Sequence, residues 1–173
     1  GGGQILIQWA KAIGAKVITT GGSEEKRQVV EALGADLVIN YRTESIVERV
    51  RSFIPDGVDV VYDGVGKDTF EASLDSLKLL GMMVSYGNAS GAPPDVNPLT
   101  LLNKGALFLT RPNLNSYTST PERYQIVMNR WMEALDQGIV NLSIYKEYPL
   151  EEVGKAQTEL ANRKVIGAIV LTP

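Results

Sequence analysis

The chain has 173 residues, 44% of them apolar, which is enough for one ordinary domain, or one domain and part of another, around a real core. Its net charge of −3, with lysines and arginines scattered along the chain, gives no electrostatic basis for binding nucleic acid or an acidic membrane surface. It contains no cysteine and no histidine, which excludes disulfides, thiolate chemistry and imidazole catalysis and makes a zinc site within the chain untenable.

In chain order, three glycines come first. Residues 4–13 then place Ile5, Leu6, Trp9, Ala10 and Ile13 on one helical face, ended by Gly14. Ala15 to Thr20 reads as a strand stopped at Gly21-Gly22-Ser23, with Ser23 as N-cap of a helix over 24–33 that Gly34 closes. "DLVIN" is a second strand, and Ser45 with Glu48 has capping-box spacing for a helix reaching Phe53. "VDVVYDGVG" is a buried-strand run, followed by a helix opened by Asp68 and Thr69 and closed by Gly81; "MMVSYG" is the fourth strand. A Pro, Gly and Asn loop over 88–98 and a short helical stretch at 98–103 lead to a fifth strand, "ALFLT".

After Arg111-Pro112 the character changes. Thr120-Pro121 opens a helix over 121–137, and another over 150–163 leads to a terminal strand, "GAIVLT". The alternation through residue 87, with short connections, predicts an α/β class: a Rossmann-like, doubly wound parallel sheet covered on both faces. The expected division is a dinucleotide-binding domain over 1–113 and a C-terminal α+β strip of a substrate domain over 114–173. No apolar run reaches the roughly 18 residues that span a bilayer, and nothing like a secretory signal precedes the glycines, so the expected compartment is the cytoplasm.

Three places can carry chemistry. Gly1, Gly2 and Gly3 before a helix suit a pyrophosphate turn, where backbone amides and the positive helix end meet phosphate charge; a flexible terminus or a cloning remnant has the same composition. About 20 residues further on, where an acidic residue would meet the ribose of NAD, stand Gly22, Ser23 and Lys26. A small hydroxyl, a helix N-terminus and an ammonium suit a 2′-phosphate, and hence NADP(H). The alternative is a capped surface helix with a solvated lysine, which Glu24 and Glu25 favour. "YDGVGKD" and "SYGNASG" end the third and fourth strands, where ligands of open parallel sheets sit, although tight turns alone also account for Gly and Asn.

Taken together, "QWAKAIGAKVI", "SEEK", "VINYR", "VVYDGVGKDTFEASLDSL", "GMMVSYGNASG" and "FLTRP" resemble the cofactor domain of the zinc-independent quinone oxidoreductases, the zeta-crystallin-like branch of the medium-chain dehydrogenase/reductase superfamily. The resemblance runs over almost the whole chain. It implies NADPH as cofactor, with Gly1, Gly2 and Gly3 at the pyrophosphate, although the family usually has valine where Gly2 stands. It further implies Gly22, Ser23 and Lys26 at the 2′-phosphate, Tyr41 on the adenosine side, Gly64 and Val65 beside adenosine and ribose, and Tyr86, Gly87 and Asn88 toward the nicotinamide. Phe108 and Arg111 would border the nicotinamide end, and Arg163 would reach back to the adenosine phosphate.

The implied reaction is hydride transfer from NADPH to a quinone, with neither metal nor covalent intermediate and with no catalytic residue named in this chain. Alternatives are an enoyl or alkenal reductase on the same fold, acting on an activated alkene, and a non-catalytic, crystallin-like NADPH-binding protein. The resemblance also implies that the first strand of the dinucleotide fold and the preceding substrate domain are missing, that this portion is inactive by itself, and that homodimers form through the edge strand near 106–110.

Overall fold

The computed structural model describes residues 2–162 and 165–173. In chain order its elements are α1 (Gly2–Ala12), β1 (Ile18–Gly21), α2 (Glu24–Ala32), β2 (Leu37–Asn40), α3 (Ile46–Phe53), β3 (Val58–Asp63), α4 (Phe70–Asp75), β4 (Leu77–Ser85), α5 (Pro98–Asn103), β5 (Phe108–Thr110), α6 (Leu114–Tyr117), α7 (Pro121–Asp136), β6 (Ile144–Pro149), a single 3-10 turn (Leu150–Glu152), α8 (Val153–Ala161) and β7 (Ala168–Thr172). The caps fall where the side chains demand them. Ser23 Oγ accepts from the Lys26 N–H and Ser45 Oγ from the Glu48 N–H, each at 3.4 Å, and Asn97 accepts from the Leu99 N–H at 2.9 Å ahead of Pro98. Gly34 and Gly138 follow α2 and α7 at φ of 94° and 66°, the left-handed region that ends a helix.

The fold is α/β with parallel pairing: β3-β4-β5 form one parallel sheet, β6-β7 a parallel pair and β1-β2 a third group. The chain divides into two compact units, one made of residues 1–38 and 129–173, the other of residues 39–128.

In the first unit, α1 is fastened from three sides. Trp9 stacks on Trp131 with ring centroids 6.3 Å apart and planes 22° from parallel. The Gln8 amide donates to the Asn141 carbonyl at 3.2 Å and accepts the Asn141 N–H at 2.8 Å. Lys11 meets both oxygens of Asp36, at 2.8 and 3.0 Å, and the same carboxylate accepts the Val17 N–H, which ties the approach to β1. Trp131→Ala is expected to cost about 2 kcal/mol, since it removes both the ring contact and half-buried apolar area; urea unfolding of the protein carrying this chain reads the change, and an unchanged midpoint would mean that the stack holds nothing.

In the second unit, α4 packs Phe70 and Leu74 against Leu77, Met83 and Leu107, all buried. The opposite face of the sheet is open: the register Val60↔Met82↔Phe108 puts three apolar side chains there at 41%, 39% and 55% exposure. Arg51 of α3 closes the far end, donating to the carbonyls of Asp75 at 2.9 Å and Leu77 at 2.8 Å.

Two expectations change. The helix expected to run to Gly81 stops at Asp75, and Leu77–Gly81 is instead the bulged start of β4, with residues 77–82 set against only 58–60 of β3. Burial decides this: Leu77 and Met83 are almost wholly enclosed, and Leu80, at φ 59°, is held by its N–H on the Gly105 carbonyl at 2.9 Å. The second change is β6, a strand over "IYKEYP" in which only Tyr148 is buried, so its sequence carries little apolar alternation to announce it.

Candidate functional site

The first unit supplies two of the expected contacts. Gly2 and Gly3 lie within the first turn of α1 rather than in a loop ahead of it, and a Cβ on either would meet nothing within 4 Å. Packing within the chain therefore does not require glycine there, and the backbone lies open to a ligand. At the end of β1, Ser23 caps α2 with its hydroxyl and takes the Arg27 N–H on its carbonyl at 3.0 Å. Lys26 is half-buried one turn in, and its ammonium has no ion-pair partner among the described residues, whereas the neighbouring Arg27 is paired with Glu31 at 2.8 Å. Gly22 lies between strand and cap. Gly1 and Arg163 lie outside the described residues.

The second unit brings together Gly64, Val65, Tyr86, Gly87, Asn88 and Arg111 at the carboxyl ends of β3, β4 and β5. What locks them is Asp63, a residue that sequence reasoning passed over. It is 4% exposed, and its Oδ1 accepts the N–H groups of Val65 at 2.8 Å and Gly66 at 2.9 Å, while Oδ2 accepts the hydroxyls of Thr69 at 2.8 Å and Ser73 at 2.7 Å. Burial pushes this carboxyl up, but the donors from Gly66, Ser73, Thr69 and Val65 together outweigh it and hold the pKa below the ordinary value. The signal available in the sequence was an acidic residue closing an apolar strand directly before Gly-x-Gly, the composition of an Asx turn.

The β3 turn is clasped to the loop after β4. Ser90 donates to the Val65 carbonyl through both its N–H at 2.8 Å and its hydroxyl at 2.9 Å, and its oxygen accepts the Asp68 N–H at 3.0 Å. The Gly64 carbonyl accepts the Ala89 N–H at 3.3 Å, and the Gly91 carbonyl the Lys67 N–H at 3.1 Å. Glycine is required from inside at Gly87, where a Cβ would run into the Gly64 backbone; a Cβ on Gly64 would come within 2.8 Å of the Tyr86 hydroxyl and displace the end of that side chain. The Tyr86 hydroxyl end is tucked in, and burial, followed by the Asp63 charge, raises its pKa, so the phenol stays protonated at neutral pH.

Arg111, just past β5, donates through Nη1 to Ser85 Oγ and to the Gly87 carbonyl, each at 3.2 Å. It borders two cavities. The inner one, of about 250 Å³, is mostly apolar, with Phe70, Pro93, Val96 and Leu109 alongside Ser85 and Asn88; the outer one, of about 620 Å³, is lined by Tyr86, Pro112, Asn113, Leu114 and Tyr117. Phe108 is not part of this assembly: it lies on the open face of the sheet and lines neither cavity. Tyr41 follows β2 on a pinned turn, in which Asn40 accepts the Arg42 N–H at 3.1 Å and Glu44 the Asn40 N–H at 2.8 Å, and its ring is 46% exposed.

A layered parallel sheet with glycine turns at its strand ends defines the class, and the comparison with known proteins agrees. The chain matches the family described as "Zinc-binding dehydrogenase" over residues 1–133, and it belongs to that family. Among the described residues no group of three or more acidic, histidine or cysteine side chains could hold a metal ion. It is 46% identical over its whole length to the quinone oxidoreductase of Salmonella typhimurium and 39% identical to the 2-haloacrylate reductase of a Burkholderia species. It superimposes with a TM-score of 0.93 on the crystal structure of Escherichia coli quinone oxidoreductase complexed with NADPH, at 42% identity over 100% of this chain and 54% of that one. The chain spans about half the length of the curated relatives it matches, 54% of the Salmonella protein and 53% of the Burkholderia one. Among the described residues no helix is long and apolar enough to cross a membrane.

Proposed function

We propose that this chain is the cofactor-binding portion of a zinc-independent, NADPH-dependent quinone reductase. The observation that carries the reading is the end of β1: a capped helix N-terminus and a half-buried ammonium without an ion-pair partner among the described residues, at the place where a dinucleotide fold meets the second ribose position. The donor set fits a 2′-phosphate, and the open backbone above Gly2 and Gly3 leaves room for a pyrophosphate. NADPH, when bound, supplies the hydride. The chain's part is to hold the adenine end through Gly22, Ser23, Lys26 and Tyr41 and, with Asp63 and Ser90 stiffening the turns, to present Gly64, Val65, Tyr86, Gly87 and Asn88 to the rest of the cofactor.

On this reading residues 1–113 form the dinucleotide-binding domain and 114–173 a strip of the substrate domain; Gly1 and Arg163 join the phosphate contacts, while Phe108, on the open face of the sheet, does not reach the nicotinamide end. The compartment is the cytoplasm, and this portion alone turns over little or no substrate. β5 is the outermost strand of its sheet and carries the exposed Phe108, which supports pairing with a second copy through residues 106–110; light scattering that finds only monomer removes that part. A second reading, reduction of an activated alkene, is favoured by the 39% identity to the 2-haloacrylate reductase.

The cofactor assignment is tested at Lys26. In the protein carrying this chain, Lys26→Ala is expected to raise the Kd for NADPH about 10- to 100-fold, the loss of one charge-assisted phosphate contact, and to leave NADH binding nearly unchanged. Equal weakening of both cofactors, or of neither, would remove the 2′-phosphate from this site.

A further inference from the structure

The outer cavity beside Arg111 extends past the residues assigned to the cofactor, Tyr86 and Arg111, to Asn113, Leu114 and Tyr117. Its outer wall is α6, a single helical turn held by more bonds than its length requires. Asn113 Oδ1 accepts the Ser116 N–H at 2.9 Å, the Thr118 hydroxyl donates to the Leu114 carbonyl at 2.9 Å, and Arg123 donates to the Ser116 carbonyl at 3.2 Å. Yet this turn presents Leu114 and Tyr117 at 70% and 62% exposure. The turn thus fixes an aliphatic and an aromatic group at the edge of the cavity. Tyr86, half-exposed, lines the same cavity, and its 620 Å³ is in the size range of small-molecule sites.

The polar character of the cavity selects an occupant. No carboxylate lines it, so nothing favours a cation. Arg111 has one Nη committed to Ser85 and Gly87, while its other guanidinium N–H groups have no partner among the described residues. Such a group suits a ligand whose oxygen gathers negative charge.

We propose that this cavity is the chain's portion of the acceptor site: a flat conjugated carbonyl compound lies against Tyr117 and Leu114, and its oxygen takes a hydrogen bond from Arg111. The proposal rests on the hydride-transfer reading given above. In the step it serves, a C–H bond of the dihydronicotinamide would break and the hydride, with both electrons, would form a new C–H or O–H bond on the acceptor. The donor ends oxidised to the nicotinamide cation and the acceptor reduced, with an oxyanion that then takes one proton from water. Arg111 stabilises that oxyanion before the proton arrives, and Tyr117 decides which rings fit.

The test is steady-state kinetics of the protein carrying this chain, at saturating NADPH, with 1,4-naphthoquinone and the larger 9,10-phenanthrenequinone. Tyr117→Ala is expected to raise the KM for naphthoquinone about tenfold, the worth of one ring contact, and to change the ratio of kcat/KM between the two quinones. Tyr117→Phe, which keeps the ring, should restore most of the loss. Arg111→Met should lower kcat about 100-fold. The Kd for NADPH, read from its fluorescence, should move less than about twofold in the Tyr117 variants, and Tyr117 is exposed enough that the fold survives its loss. An unchanged KM in Tyr117→Ala, or an equal weakening of NADPH, overturns the acceptor assignment alone. A wild-type protein that reduces neither quinone nor 2-haloacrylate overturns the hydride-transfer reading and this proposal with it.

Discussion

Asp63→Ala is expected to lower the stability of the protein carrying this chain by about 3–5 kcal/mol, because four donors lose the acceptor they were arranged to meet, at about 1–3 kcal/mol for each that stays unsatisfied. Two backbone N–H groups and two hydroxyls lose their acceptor at once, and the site is too enclosed for water to replace it without rearrangement. Asp63→Asn should cost less, about 1–2 kcal/mol: its Oδ1 still accepts from Val65 and Gly66, but its NH₂ now faces the Thr69 and Ser73 hydroxyls, which must turn to accept rather than donate. The pH dependence gives an independent reading. Since the folded pKa lies below the unfolded one, the contribution is fully present above the unfolded value of about 3.9 and is lost as pH falls through the folded value. Urea midpoints measured down to about pH 3 should therefore fall more steeply for the wild type than for Asp63→Asn. Parallel acid limbs would show that the carboxylate has the same pKa in both states.

Gly87→Ala is the second large effect expected, about 3 kcal/mol at the upper end of overpacking costs. The added Cβ would sit 2.8 Å from both the carbonyl carbon and the Cα of Gly64, with the Gly64 oxygen nearer still. All three are backbone atoms of a turn already tied down by Ala89, so no rotamer change relieves the contact. Gly138→Ala is the control: φ there is 66° but a Cβ meets nothing within 4 Å, leaving only the left-handed penalty of about 1 kcal/mol. Gly87 also offers its carbonyl to Arg111, so its displacement should weaken NADPH binding as well as stability, whereas Gly138→Ala should affect stability alone. Equal urea midpoints for the two variants would mean that the turns are not interlocked.

The parts of the fold fixed by local chemistry were legible from residue types. Ser23 and Ser45 cap as their positions suggest, and Gly34 and Gly138 end helices in the left-handed conformation. "LKLLG" was not legible, because five residues with three leucines fit a helical period as well as a strand; what decides is Leu77 packed under Phe70 and a bulge held from Gly105, both remote in sequence. β6 was missed for the opposite reason, a strand so exposed that its pairing with β7 is the main thing that defines it. At the site, strand-end glycines were visible as turns, but not why they must be glycine. Gly64 and Gly87 are glycine against each other and against Tyr86, a relation between segments more than 20 residues apart that spacing along one segment cannot express. Tyr117 carried no signal in "NLNSYTST"; it acquires meaning only from the pinned turn that displays it.

The interlock of the β3 and β4 turns also constrains how such a sequence can drift. Alanine at position 64 meets the outer end of the Tyr86 ring, so it is accommodated by a shift of that half-exposed side chain or by a smaller residue at 86. Position 87, which would meet the Gly64 backbone itself, has no such outlet, so the two glycine segments are linked chiefly through Gly87, with Ser90 and Asp63 as the fixed points between them.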